Sequence, residues 1–171
     1  MKGSSVRAAT PSTRAWAYSL LAEAHVRDAD AKGAFMALDA SHAILDEERG
    51  GDEPRPRSTF FDGARLIGGR GVTAVRLGMI DEAEAPLNSA IAGMGGDPKT
   101  ESRMLTHLAR ARLQQNELEE ACRLAIRSLD VAQETGSTIG VKDLHDFRRD
   151  LSPWRDTDAV HDLDDRLAVQ L

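Results

Sequence analysis

The groups that could do chemistry in this chain are a glycine string, the histidines, one cysteine and an acidic run near the C-terminal end. The string "GRGVTA" sets Gly69, Gly71 and Ala74 in the spacing G-x-G-x-x-G/A, which in a dinucleotide site brings backbone amides against a pyrophosphate. That use needs a strand before the string and a helix opening at it. Here the string lies inside a helical segment, so the glycines read as helix-crossing positions. His25, His42, His107, His145 and His161 form neither an H-E-x-x-H pair nor a zinc-type Cys/His spacing. Cys122 directly follows Ala121 on a helical stretch, where a small thiol packs well, and no serine sits in G-x-S-x-G. "DLDD", Asp162 to Asp165, reads as a charged helix face rather than a carboxylate pair. With no convergent set of catalytic groups, the expectation is a non-enzyme with no cofactor and no metal.

Composition narrows the classes further. A net charge of −6 argues against general affinity for nucleic acid, which rests on Lys and Arg neutralising phosphates. There is no apolar run long enough to span a membrane and no signal-type segment after Met1, and a lone cysteine cannot form an internal disulfide. These features place the protein in the cytoplasm. A length of 171 residues suits one domain, and 4% aromatic content without alternating β-branched stretches points to an all-α fold.

The elements that must position any site form a repeat. "LGMIDEAEAPLNSAI" and "QQNELEEACRLAIRSL" share a turn residue (Gly78, Asn116), then an apolar residue, two acids and an alanine (Ala83, Ala121). Placing Ala34 in the same role brings Ala22, Gly71 and Ala109 into register before the key alanine, and Leu38, Leu87 and Ala125 after it. Two antiparallel helices approach closely only where the crossing point carries little side chain, which is why Ala or Gly recurs there. The frame predicts helix pairs over residues 13–46, 58–93 and 100–135, two capping helices over 138–170, and a disordered tail at 1–12. Asp81 with Glu84, and Asn116 with Glu119, read as capping pairs, and Thr100 as a further cap. Pro86 then demands a kink or a later helix start. "EERGGDEPRPRSTF" and "GMGGDPKT" read as linkers between the pairs. In the closing helices Val141, Leu144, Phe147 and Leu151 share one face, as do Val160, Leu163 and Leu167, after a cap at Asp156 or Thr157.

The pattern of a large residue, a Leu and small residue, a turn Gly and then an Ala resembles the tetratricopeptide repeat across residues 13–130. It is carried by Tyr18, Leu21, Ala22, His25, Ala34 and Ser41; by Gly71, Gly78, Ala83 and Ala90; and by Leu105, Leu108, Ala109, Ala121 and Ser128. Arg70 departs from the usual Leu, and the usual Pro after each second helix is absent. "STFFDGARLIGGRG", "AVRLGMIDEAE", "HLARARLQQNELEEACRLAIRSL" and "LSPW" followed by "AVHDLDDRL" further resemble the C-terminal helical-repeat domain of actinobacterial, XRE-like helix-turn-helix transcriptional regulators. The space before the first repeat helix is too short for their DNA-binding module, so DNA binding is not expected of this chain.

The tetratricopeptide resemblance implies that the first helix of each pair lines a concave surface. Its inward positions are then Trp16, Glu23, Arg27, Arg65, Arg76, Arg103 and Arg110, a basic groove on an acidic protein. Arginine forks grip carboxylates in bidentate geometry, so the expected partner is a protein or an acidic peptide, or a peptide's C-terminal carboxylate. The competing reading has these arginines paired with neighbours such as Asp62 and Glu101. The expected function is an interaction module related to the sensing half of a regulator. The alternatives are a homo-oligomeric scaffold such as a homodimer, with Phe60, Phe61 and Trp154 as anchors if exposed, though core burial is the favoured reading of each, or a truncated regulator remnant.

Overall fold

The computed structural model describes residues 10–49, 63–93 and 98–168. Most of the first expected linker, residues 94–97 of the second, the tail up to residue 9, Phe60, Phe61, Asp62 and the side chain of Arg65 lie outside the described residues, and the rest of the second linker, from Pro98, belongs to a helix. Among those described there are eight α-helices, two short 3-10 turns and no strand. The chain divides into two compact units, one ending at Leu66 and one beginning at Ile67.

The first unit is a helix pair, α1 (Pro11–Arg27) and α2 (Ala31–Arg49). Thr10 caps α1, its hydroxyl accepting from the amide of Thr13 at 3.2 Å, and Pro11 takes a first-turn position where its missing amide is not needed. The helix therefore begins inside the stretch expected to be tail. Asp30 caps α2 through its carboxylate, which accepts from the amide of Gly33 at 2.9 Å. His25 Nδ1 lies 2.9 Å from the same carboxylate, and the residue is half-buried. Ala15, Ala22, Ala34, Ala37, Leu38, Ile44 and Leu45 are buried in this pair.

The second unit takes α3 (Gly63–Arg76) from Ile67 on, α4 (Glu84–Gly93), α5 (Pro98–Gln114), α6 (Leu118–Glu134), α7 (Thr138–Asp150) and α8 (Asp158–Ala168). Its core holds Leu87, Leu105, Leu129, Leu144, Phe147, Leu151 and Leu163, all fully buried. Burial on this scale contributes ~1.5–3 kcal/mol per large side chain. The expected faces of the closing helices are the ones that pack: Leu144, Phe147 and Leu151 on one side, Val160, Leu163 and Leu167 on the other. A forked Arg148–Asp164 pair, with one contact at 2.7 Å, joins α7 to α8.

The turns within the helix pairs share backbone features at the positions the sequence frame makes equivalent. Ala29, Gly78 and Asn116 all adopt left-handed backbone, with φ of 55°, 72° and 63°. In each case the amide of the next residue reaches back to the same helical carbonyl: Asp30 to His25, Met79 to Ala74, and Glu117 to Arg112. Asn116 is therefore the turn residue and not a cap, and Glu117 precedes α6 without a side-chain cap bond. Asp81 lies in a 3-10 turn, Ile80–Glu82, and α4 starts late, at Glu84. Pro86 is then its third residue, where no amide partner is required, so the helix needs no kink. Thr100, expected as a cap, is buried inside the first turn of α5.

A second agreement concerns buried hydroxyls. Ser41 on α2 donates to the carbonyl of Ala15 on α1 at 2.7 Å, with Ser19 at 3.3 Å from it. The equivalent Ser128 on α6 donates to the carbonyl of Ser102 on α5 at 2.7 Å, with Thr106 at 2.9 Å. In the middle pair the same positions are Gly68 and Ala90, and a Cβ on Gly68 would lie 3.3 Å from that of Ala90. Small side chains there do by shape what the hydroxyls do by bonding.

Candidate functional site

The arginines expected to line a groove fall into distinct places. Trp16 and Arg27 are exposed on α1 in the first unit, separated by three helical turns on one face. In the second unit Arg103 and Arg110 of α5 flank His107 in the chain, and Arg76, at the end of α3, is near enough for its positive charge to act on the ring. Arg103, His107 and Arg110 follow at i, i+4 and i+7, so they share one face of α5.

α3 is held against α5 by close packing. A Cβ on Gly68 would fall 2.5 Å from Met104 Sδ, and Gln114 Nε2 donates to the carbonyl of Val75 at 3.2 Å. This last bond satisfies an end carbonyl of α3 one residue before Arg76. The string that resembles a dinucleotide fingerprint lies within α3 itself. A Cβ on Gly71 would lie 2.6 Å from Leu87 Cγ and 2.9 Å from the carbonyl oxygen of Ala83, so this glycine is a helix-crossing position.

α7 supplies what the sequence reading omitted. Its Asp150 accepts from Arg110 Nε at 3.1 Å, and its Asp143 approaches Arg103 Nε to 3.5 Å without forming a hydrogen bond. Arg110 also lies over the ring of Phe147, 5.8 Å from its centroid. The acids opposite these arginines thus come from α7. Glu101, weighed as a neighbour for the groove arginines, instead pairs with Arg127 at 3.1 Å. Arg76 is exposed and has no ion-pair partner among the described residues.

His107 is the unusual member. Part of its residue surface remains accessible, but Nδ1 is sealed and has no hydrogen-bond partner among the described residues; the same is true of Arg103 Nε one turn away. Burial pushes the imidazole down to about 3, and the positive charges of Arg110, Arg103 and Arg76 add to that effect. The ring is therefore neutral at ordinary pH. A buried polar atom left unpaired costs ~1–3 kcal/mol, so the Arg103 Nε–H and His107 Nδ1 on one helix face form a local weakness.

Other chemistry is not assembled. Cys122 is buried, and burial, reinforced by Glu119, pushes its thiol up to about 11, which keeps it protonated. Among the described residues no three His, Cys, Asp or Glu side chains group as metal ligands, and no helix is long and apolar enough to cross a membrane. The arrangement around His107 is suited to holding an anion: guanidinium forks, a neutral imidazole and an aromatic wall. A search for similar proteins found no matching family model, curated protein or solved structure.

Proposed function

We propose that the chain is a tetratricopeptide-like interaction module, related to the sensing half of a helix-turn-helix regulator, that binds an acidic peptide or protein segment and has no catalytic step. The observation that carries the reading is the convergence of Arg76, Arg103 and Arg110 on a neutral His107 in a protein whose net charge is −6. Cations gathered against the sign of the whole molecule create a local field that attracts acidic segments and raises their encounter rate. The matched turns and hydroxyl bonds of the helix pairs support the repeat architecture, and the groove positions of α5 then correspond to inward positions of a first repeat helix. A two-site charge reversal, Arg76→Glu with Arg110→Glu, is expected to weaken acidic-peptide binding at least ~10-fold, the scale of one lost charge-assisted contact. Binding that is unchanged in a folded double variant removes the proposal.

A second reading, self-association, is favoured by exposed apolar residues on α1. Trp16 and Leu20, one turn apart on one face, are 53% and 45% exposed, and Tyr18 and Leu21, on another face, are 38% and 45% exposed, whereas Trp154, for which the sequence favours burial, is half-buried. Exposed apolar side chains that share a helix face mark contact surfaces. Under this reading sedimentation shows a mass that rises with concentration and falls back in Trp16→Glu. A monomer at all concentrations discards it.

A further inference from the structure

We infer that Arg103 Nε–H and His107 Nδ1–H are the two donors of a seat for a single carboxylate, with Arg76 and Arg110 supplying the surrounding positive charge. The inference rests on the groove reading above and specifies what the groove grips.

Three observations lead to it. The two nitrogens lie one turn apart on the same face of α5, both are sealed from solvent, and neither has a hydrogen-bond partner among the described residues. One anionic group with two acceptor oxygens answers both. Arg103 can make room for it: its side chain is 42% exposed, and its contact with Asp143, at 3.5 Å, is charge proximity without a hydrogen bond. Arg110, by contrast, is fixed by Asp150 and by the ring of Phe147.

Charge selects the class of anion. Arg103 and Arg110 on α5 are answered by Asp143 and Asp150 on α7, so Arg76, at the end of α3, leaves one positive charge in surplus beside His107. A carboxylate carries the single negative charge that balances it, whereas a phosphate ester is nearer dianionic at neutral pH. A neutral imidazole can carry its one proton on Nδ1, and an oxygen acceptor there selects that tautomer. His107 therefore donates to the carboxylate as a neutral group, and the arginines provide the ionic attraction.

The test uses sodium acetate as the probe and the histidine ring nitrogens as the reporter, read by 15N NMR on the full chain. Matched sodium chloride and inorganic phosphate serve as comparisons, and Arg103→Gln and His107→Phe as variants, with Arg127→Gln as a surface control. The expected result is a saturable shift confined to the His107 ring with acetate, weakened at least ~10-fold in Arg103→Gln and kept in Arg127→Gln. Chloride reproducing the shift, or phosphate binding more tightly than acetate, overturns the carboxylate seat. A parallel series uses one acidic peptide with a free and with an amidated C-terminus. Loss on amidation identifies a peptide terminus as the source of the carboxylate, and indifference identifies a side chain or a free acid; both agree with the seat. Peptide binding that survives intact in Arg103→Gln and His107→Phe but fails in Arg76→Glu with Arg110→Glu overturns the seat and leaves the groove standing. Acetate binding without peptide binding keeps the seat and removes the groove.

Discussion

Single residues carry the sharpest tests of the packing argument. Gly69 and Gly71 sit two positions apart on α3 and share a fingerprint-like string, yet their surroundings differ. A Cβ on Gly69 meets nothing within 4 Å, whereas one on Gly71 strikes Leu87 and the backbone of Ala83. Gly69→Ala should therefore stabilise the protein by ~0.5–1 kcal/mol through helix propensity. Gly71→Ala should lose that gain and cost ~1–3 kcal/mol from overpacking. Urea unfolding of both variants checks this, and equal effects would contradict the crossing assignment. His107 gives a second test. Its pKa lies at about 3 in the folded state against 6.5 for the ordinary side chain, so between those values the unfolded chain binds a proton that the folded chain refuses. Stability from this group is unaffected above the ordinary value and falls as pH drops below it, by up to ~1.4 kcal/mol per pH unit. Between about pH 7 and about pH 5 the loss should approach ~2 kcal/mol, and His107→Gln should flatten it. An unchanged slope in the variant would mean that the ring is not held neutral by its surroundings. The small-residue frame was legible in the sequence because helix crossings tolerate few residue types. The role of His107 was not, because a histidine at helical spacing reads the same whether it packs, pairs or waits for an anion.

At the scale of elements, α7 does more than pack against α5 and α6. Its Asp143 and Asp150 are two turns apart, and they face Arg103 and Arg110, which have the same separation on α5. These acids compete with any acidic ligand for the same guanidinium groups. Asp143→Asn with Asp150→Asn is expected to tighten acidic-peptide binding by ~3–10-fold, with folding changed by under ~1 kcal/mol because the pairs are partly exposed. Weaker binding in this variant, read by fluorescence anisotropy, would show that the acids shape the groove instead of competing within it. The sequence reading placed α7 and its buried face correctly but counted one acid among the groove positions. Asp143 and Asp150 lie far along the chain from the arginines they face, and only tertiary packing brings them near. Capping was also misread for a physical reason: Asn116 suits both a cap and a left-handed turn, and the tight link between α5 and α6 takes it for the turn. Ala29 fills the same turn in the first pair with no sequence signal, since alanine rarely adopts that backbone.

For the whole molecule, the account turns on a local surplus of positive charge within a chain of net charge −6. Such a site attracts acidic partners at low ionic strength and weakens in salt, because the attraction acts through solvent over a Debye length of ~8–10 Å. The all-helical class, the helix pairs and the faces of the closing helices followed from composition and periodicity. A partner's identity did not, since small and apolar positions at helical spacing record packing between neighbouring helices far more strongly than they record a ligand. The most direct measurement is fluorescence anisotropy of a labelled acidic peptide titrated with the wild-type chain and with the Arg76→Glu, Arg110→Glu variant, at low and high salt, with folding of both verified by circular dichroism. The account predicts saturable, salt-sensitive binding to the wild type that drops at least ~10-fold on charge reversal. Equal binding by both proteins, or none by either at low salt, would contradict it.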